Sequence, residues 1–77
     1  MAENRYPAFD NTQKFIEIGY NIAYYRKHAG LTQEQLAEKF QITSRTVSRW
    51  ETGSNMPDIS MLLELADFYE VDIREII

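Results

Sequence analysis

The chain has 77 residues, a net charge of −4 and no cysteine. That length fits one domain, with a small core that buries about 60–65% of the unfolded chain's surface. Without cysteine there is no disulfide framework and no thiolate metal site, and His28 alone cannot assemble a metal site or a nucleophile–base pair. No apolar run approaches the roughly 20 residues of a membrane span, and MAENRYPAF at the N-terminus lacks the apolar centre of a secretory leader. These features predict a cytoplasmic protein with no membrane association, cofactor or metal.

Residues 1–11, MAENRYPAFDN, carry Pro7 and no apolar period, which predicts a flexible arm ahead of a domain over residues 12–77. From Thr12 the pattern becomes helical. Phe15, Ile18, Ile22, Tyr25 and Ala29 recur at three- and four-residue steps, the period of one helix face. Gly30 then offers the left-handed position that ends many helices. Thr32-Gln-Glu-Gln35 fits a capping box, a hydroxyl at the N-cap with glutamine three residues on, and opens a second helix over about 33–40. Leu36, Ala37 and Phe40 are its inward side.

Gln41-Ile42 makes a tight connection, Thr43 is an N-cap, and a third helix is predicted over about 44–52, closed by Gly53. Ser54-Asn-Met-Pro57 reads as a turn-rich loop. Asp58 caps a fourth helix, ISMLLELADFY, whose apolar positions leave only a polar stripe of Ser60, Glu64 and Asp67. Such a helix is central or turns a second side to a partner. Asp72-x-x-Glu75 caps one last short turn, counted as a fifth helix, ending at Ile76-Ile77. No stretch alternates as a strand does. The expectation is an all-α bundle of five short helices.

The charge is polarised. Residues 26–49 hold five basic and two acidic side chains, a net of +3, while residues 50–77 hold seven acidic side chains against Arg74, a net of −6. A close ligand feels local charge, so an acidic protein can still present a cationic face. The short link between helices two and three suits the steep crossing of a helix-turn-helix, roughly 90–120°. Ala37 is the small residue such a crossing needs near Val47. With Val47 and Trp50 inward, the third helix turns Ser44, Arg45, Ser48 and Arg49 outward, with no acidic residue among them. Arginine can grip guanine O6 and N7 with two parallel hydrogen bonds, and a helix N-terminus suits a phosphate.

The run GLTQEQLAEKFQITSRTVSRWETGSNMP resembles the helix-turn-helix domain of phage repressors and Cro proteins, the XRE-type transcriptional regulators. The motifs are Leu-Thr-Gln-x-x-Leu-Ala, Val-Ser-x-Trp-Glu-x-Gly, a proline four residues after that glycine, and the Leu-x-x-Ala-Asp helix. The likeness extends over about residues 12–77 and implies a five-helix bundle of a transcriptional regulator, more often a repressor than an activator, that binds double-stranded operator DNA, usually as a two-fold symmetric pair. It places Thr43, Ser44, Arg45 and Arg49 at bases or adjacent phosphates, with Ser48 on the same DNA-binding face, and Gln33 at a phosphate, bracing the recognition helix. Arg26 and Glu51 match a family pair that ties the first helix to the end of the third. The chain departs from the pattern at Gln41, where relatives carry glycine, at a cost of about 1 kcal/mol. It also departs at Ala23, Tyr24 and Ser54-Asn-Met56, where relatives often carry cations. Fewer cations near phosphate mean weaker sequence-independent attraction.

Each residue also has a plainer role to weigh. Arg45 and Arg49 could be solvated helix charges, although the motif argues against it. Arg26 and Glu51 read as a structural pair, Trp50 as core, Lys27 and Lys39 as solubilising, and His28 as a surface residue. A rival function is a protein-interaction module using helices four and five. Salt discriminates the two, because phosphate-mediated binding weakens steeply with salt. Catalysis is not expected, since no nucleophile and base are clustered and no glycine-rich phosphate loop is present. A monomer or a weak dimer is expected in free solution, with pairing mainly on DNA or through a missing C-terminal segment, and Met61, Leu65, Phe68, Ile73, Ile76 and Ile77 are candidates for the seam.

Overall fold

The computed structural model describes residues 12–77, and the arm expected over residues 1–11 lies outside them. Four α-helices and one 3-10 turn follow in order: α1 (Thr12–His28), α2 (Gln33–Phe40), α3 (Ser44–Thr52), α4 (Ile59–Tyr69) and the turn Ile73–Glu75. No strand occurs among the described residues. The expected fifth helix is therefore a 3-10 turn. Asp72 caps only three residues, accepting from Arg74 N at 2.8 Å, and the Ile76 N→Ile73 O bond of 2.9 Å gives the tight pitch of a 3-10 turn.

Side chains satisfy the orphan donors at the helix starts. Thr32 and Gln35 bond reciprocally, Gln35 N to Thr32 Oγ1 at 3.0 Å and Thr32 N to Gln35 Oε1 at 2.8 Å, which completes the capping box. Thr43 accepts from Thr46 N at 3.2 Å and Asp58 from Met61 N at 2.9 Å. Each such cap is worth about 1 kcal/mol.

The core draws on every element: Ile18 and Ile22 of α1, Leu36 and Ala37 of α2, Val47 and Trp50 of α3, Leu62, Leu65 and Ala66 of α4, and Ile76 after the turn. Leu65 and Ile76, candidates for an intersubunit seam by sequence, are fully buried in this core. A chain this short spends its best apolar residues internally. What α4 leaves outside is Ile59, Leu63 and Phe68. Ala29, counted on the first helix's inward face, is exposed because α1 ends at His28.

Two glycines let α1 lie directly on α3. A β-carbon on Gly19 would collide with Trp50 O and come within 3.0 Å of Glu51 C, both backbone atoms that cannot swing aside. Gly53 ends α3 in the left-handed conformation at φ 80°, and a β-carbon there would meet Ile16 Cγ1 at 3.0 Å and Ile16 Cα at 3.1 Å.

An ion pair locks the same interface. Arg26 Nε donates to Glu51 Oε2 at 2.6 Å and Nη2 to Oε1 at 3.0 Å, while Nη1 donates to Leu31 O at 2.8 Å. The two side chains are 11% and 7% exposed, so little water remains to solvate either charge alone. The bond from Glu51 raises the Arg26 pKa above its ordinary value, and burial opposes it more weakly. Beside this pair lies Tyr69 of α4, whose buried hydroxyl has no hydrogen-bond partner among the described residues. Burial first, then the Glu51 charge, push its pKa up to about 12, with Arg26 opposing.

Three outcomes follow. Gly19→Ala should cost about 2–3 kcal/mol in denaturant unfolding, because backbone must move to admit the methyl group. Arg26→Ala and Glu51→Ala should each cost about 3–5 kcal/mol by stranding a shielded charge, and the double variant should lose clearly less than the sum. Additive losses in that cycle would mean the two groups do not interact. Tyr69→Phe should stabilise the protein by about 1 kcal/mol at neutral pH, since it removes an unpartnered buried hydroxyl. The folded-state pKa of Tyr69 lies above its ordinary value of 10.0, so its contribution is complete below pH 10 and is lost as pH rises towards about 12. The phenylalanine variant should therefore lack that part of the alkaline decline in unfolding titrations.

Candidate nucleic-acid interface

Between α2 and α3 stand three residues, Gln41 to Thr43, and each has a distinct task. Gln41 caps α2 in the left-handed conformation at φ 58° and ψ 42°. Its N–H donates to Glu38 O at 3.2 Å, and Ile42 N donates to Ala37 O at 3.0 Å. A side chain in this conformation costs about 1 kcal/mol that glycine would avoid. Ile42 packs against the core and anchors the turn. Thr43 returns to extended backbone and starts α3. Ala37, 2% exposed, and Val47, fully buried, sit in the core that the two helices share.

The inward placement of Val47 and Trp50 fixes which side of α3 faces out. Arg45 and Arg49 are exposed, Ser44 and Ser48 half-buried, and all four lie on the side opposite Val47 and Trp50. Thr43 is exposed at the N-terminal end of that face, but its hydroxyl is engaged with Thr46 N at 3.2 Å and Thr46 Oγ1 at 3.0 Å. Thr52 belongs to the same face, and the four-residue step from Ser48 could have identified it. Its hydroxyl donates to Arg49 O at 3.2 Å, and Ser54 N and Asn55 N close on the same carbonyl at 2.9 and 3.2 Å.

Gln33 stands apart from this face, half-buried at the start of α2. Its Nε2 donates to Glu51 Oε1 at 3.0 Å. That bond joins the glutamine to the Arg26–Glu51 pair, a link that no local pattern could reveal because 18 positions separate the partners.

The electrostatics follow from where the carboxylate goes. Glu51 is the sole acidic residue of α3, and it turns inward to Arg26. The outward face therefore carries two guanidinium groups and no carboxylate of its own helix. Exposed Glu64 and Asp67 ride on α4, and Asp72 is held by Arg74 through bonds of 3.0 Å, which keeps the Asp72 pKa below its ordinary value.

Other chemistries find less to work with. His28 stacks on Tyr24 at 4.3 Å between ring centroids, a surface contact in the last turn of α1. Among the described residues no three potential metal ligands cluster, and no helix is long and apolar enough to cross a membrane. Two surface depressions of about 380 and 220 Å³ lie beside Leu31, Gln35, Glu38 and Lys39, and beside Tyr20, Ala23, Tyr24, Lys27 and His28.

The sequence profile of the helix-turn-helix family matches residues 22–76. The chain is 32% identical over 62 residues to the HTH-type transcriptional activator BcrR of Enterococcus faecalis, covering 80% of this chain and 30% of that protein. It is 30% identical over 61 residues to the cryptic phage CTXphi transcriptional repressor RstR of Vibrio cholerae, covering 79% of this chain and 54% of the relative. Both relatives are thus considerably longer than the region they share with it. Among solved structures, the crystal structure of the DNA-binding domain of BldD aligns with a TM-score of 0.76 at 28% identity, over 86% of this chain and 96% of that one. With the profile spanning α2, the turn, α3 and α4, the chain belongs to the XRE-type helix-turn-helix family.

Proposed function

We propose that the chain is the DNA-reading domain of a cytoplasmic transcriptional regulator and binds double-stranded DNA sequence-specifically, with α3 in the major groove. The observation that carries this reading is the outward face of α3, where Arg45 and Arg49 stand exposed beside Ser44 and Ser48 while Glu51 is withdrawn into an ion pair. Arg45, one residue from the helix start, reads base edges, and Arg49, one turn further on, reads a base or clamps a phosphate. Thr43, Ser44 and Ser48 supply short polar contacts, and Gln33 meets the phosphate next to the start of α2. BcrR is named an activator and RstR a repressor, and DNA recognition serves either direction of regulation.

Two copies pair weakly, mainly on DNA, and read half-sites about 34 Å apart. With Leu65 and Ile76 committed to the core, the apolar surface offered for pairing at this end of the chain is the exposed Ile59, Leu63 and Phe68 of α4 together with Ile77.

Selection from a random duplex pool should return a preferred sequence, whose binding weakens with salt by a log–log slope of roughly −0.9 per phosphate neutralised. On that duplex, Arg45→Ala and Arg49→Ala should each cost about 1–3 kcal/mol, and Arg45→Ala should also relax sequence choice. Full affinity with unchanged preference in both variants would remove α3 from the groove.

A further inference from the structure

We propose that copies of this chain associate head to tail, the outward side of α1 in one copy docking on the outward side of α4 in the next. Among the described residues seven large apolar side chains are exposed, and five of them lie on these two sides: Ile16, Tyr20 and Tyr24 on α1, Ile59 and Leu63 on α4. Single exposed apolar residues are ordinary, but these recur at four-residue steps and so line up as stripes. Neither stripe is covered within one copy. The core takes the opposite sides, Ile18 and Ile22 of α1 and Leu62, Leu65 and Ala66 of α4, and leaves Tyr20 68% and Ile59 61% exposed.

The two stripes match in spacing and in chemistry. On α1 the outward series is Ile16, Tyr20, Tyr24 and Lys27. On α4 and its cap it is Ile59, Leu63, Asp67 and Glu70, with the same steps of four, four and three. Laid parallel at the shallow crossing of about 20° common between helices, the two series stay in register over about 16 Å. Ile16 then meets Ile59 and Tyr20 meets Leu63, and the depression of about 220 Å³ beside Tyr20, Ala23 and Tyr24 receives the leucine. Tyr24, its ring held against His28 at 4.3 Å between centroids, donates from its hydroxyl to the Asp67 carboxylate. Lys27 pairs with Glu70, and Glu17 falls opposite the uncharged Ser60. Pairings of like with like fare worse. No basic residue lies on α4, so a second α4 would set Glu64, Asp67 and Glu70 against their own counterparts. A second α1 related by a two-fold axis would lay Lys27 on Ile16. Phe68 packs on Phe40 with centroids 5.4 Å apart and lies off the α4 stripe, which leaves it and Ile77 for two-fold pairing on DNA. A contact this small, with a solvated ion pair at its rim, is weak, with a Kd of about 0.1–1 mM.

Sedimentation equilibrium of the free chain tests the contact without DNA, and so apart from any role in reading DNA. Towards about 1 mM the average mass should climb past that of a dimer, because a head-to-tail contact leaves one stripe free at each end. Tyr20→Ser disables the α1 stripe and Leu63→Ser the α4 stripe, and each should weaken association about tenfold, with circular dichroism checking that both stay folded. An equimolar mixture of the two variants should associate again but stop at a 1:1 pair, since only one intact contact can form. Lys27→Glu should weaken association, and adding Glu70→Lys to the same chain should restore it. A wild type that stays monomeric throughout, or a mass that levels off at the dimer, would overturn the proposal. A loss confined to Leu63→Ser would overturn it in favour of α4 pairing with α4. A mixture that stays monomeric would overturn it as well.

Discussion

Arg26 reaches from the last turn of α1 to Glu51 near the end of α3, and also holds Leu31 O ahead of α2. Three helices are thereby referred to one guanidinium. Its bonds run inside a core with few apolar residues to spare, where a charge without its partner would be costly. The pair has value because it specifies geometry: nonpolar contacts between α1 and α3 could slide, whereas a two-bond fork to a carboxylate is directional. Gly19 completes the constraint by letting the backbones touch beside the fork.

The same pair resolves an electrostatic conflict. A protein of net charge −4 is a poor candidate to approach a polyanion. Withdrawing Glu51 from the surface of α3 leaves Arg45 and Arg49 as the charges that a ligand at that face meets first, within the Debye length of about 8 Å in physiological salt. Exposed carboxylates of α4 lie elsewhere in the chain. One carboxylate therefore acts twice, by pairing inward and by being absent outside.

Backbone strain is concentrated at helix ends. Gln41 and Glu70 both occupy the left-handed conformation at φ 58°, each closing a helix where glycine would be unstrained. Gln41 stands in the turn between α2 and α3, where the cost is borne by Ile42 packing below it and Thr43 capping beyond it. Glu70 plays the matching part after α4, with Val71 N closing on Ala66 O at 2.9 Å. Tyr69, just before it, is half-buried with a hydroxyl that has no hydrogen-bond partner among the described residues, a second local cost that the surrounding packing sustains.

Local chemistry made much of this legible from residues alone. Thr32, Thr43 and Asp58 announce helix starts because their side chains bond a donor three residues away, and Gly53 announces a stop because glycine takes the left-handed conformation without strain. The period of Ser44, Arg45, Ser48 and Arg49 against Val47 and Trp50 likewise follows from helical geometry. Family likeness, not spacing, suggested the pairing of Arg26 with Glu51 across 25 positions. Tertiary packing decided the rest. Asp72-x-x-Glu75 looked like a helix start, yet only a 3-10 turn forms there, and a cap motif does not say how far a helix runs. Leu65 and Ile76, candidates for a seam by sequence, are core, because hydrophobicity does not say which apolar surface covers a side chain. The close approach at Gly19, the orphaned hydroxyl of Tyr69 and the acceptor through which Gln33 braces α3 could not be read from spacing, since they exist only once helices have been brought together.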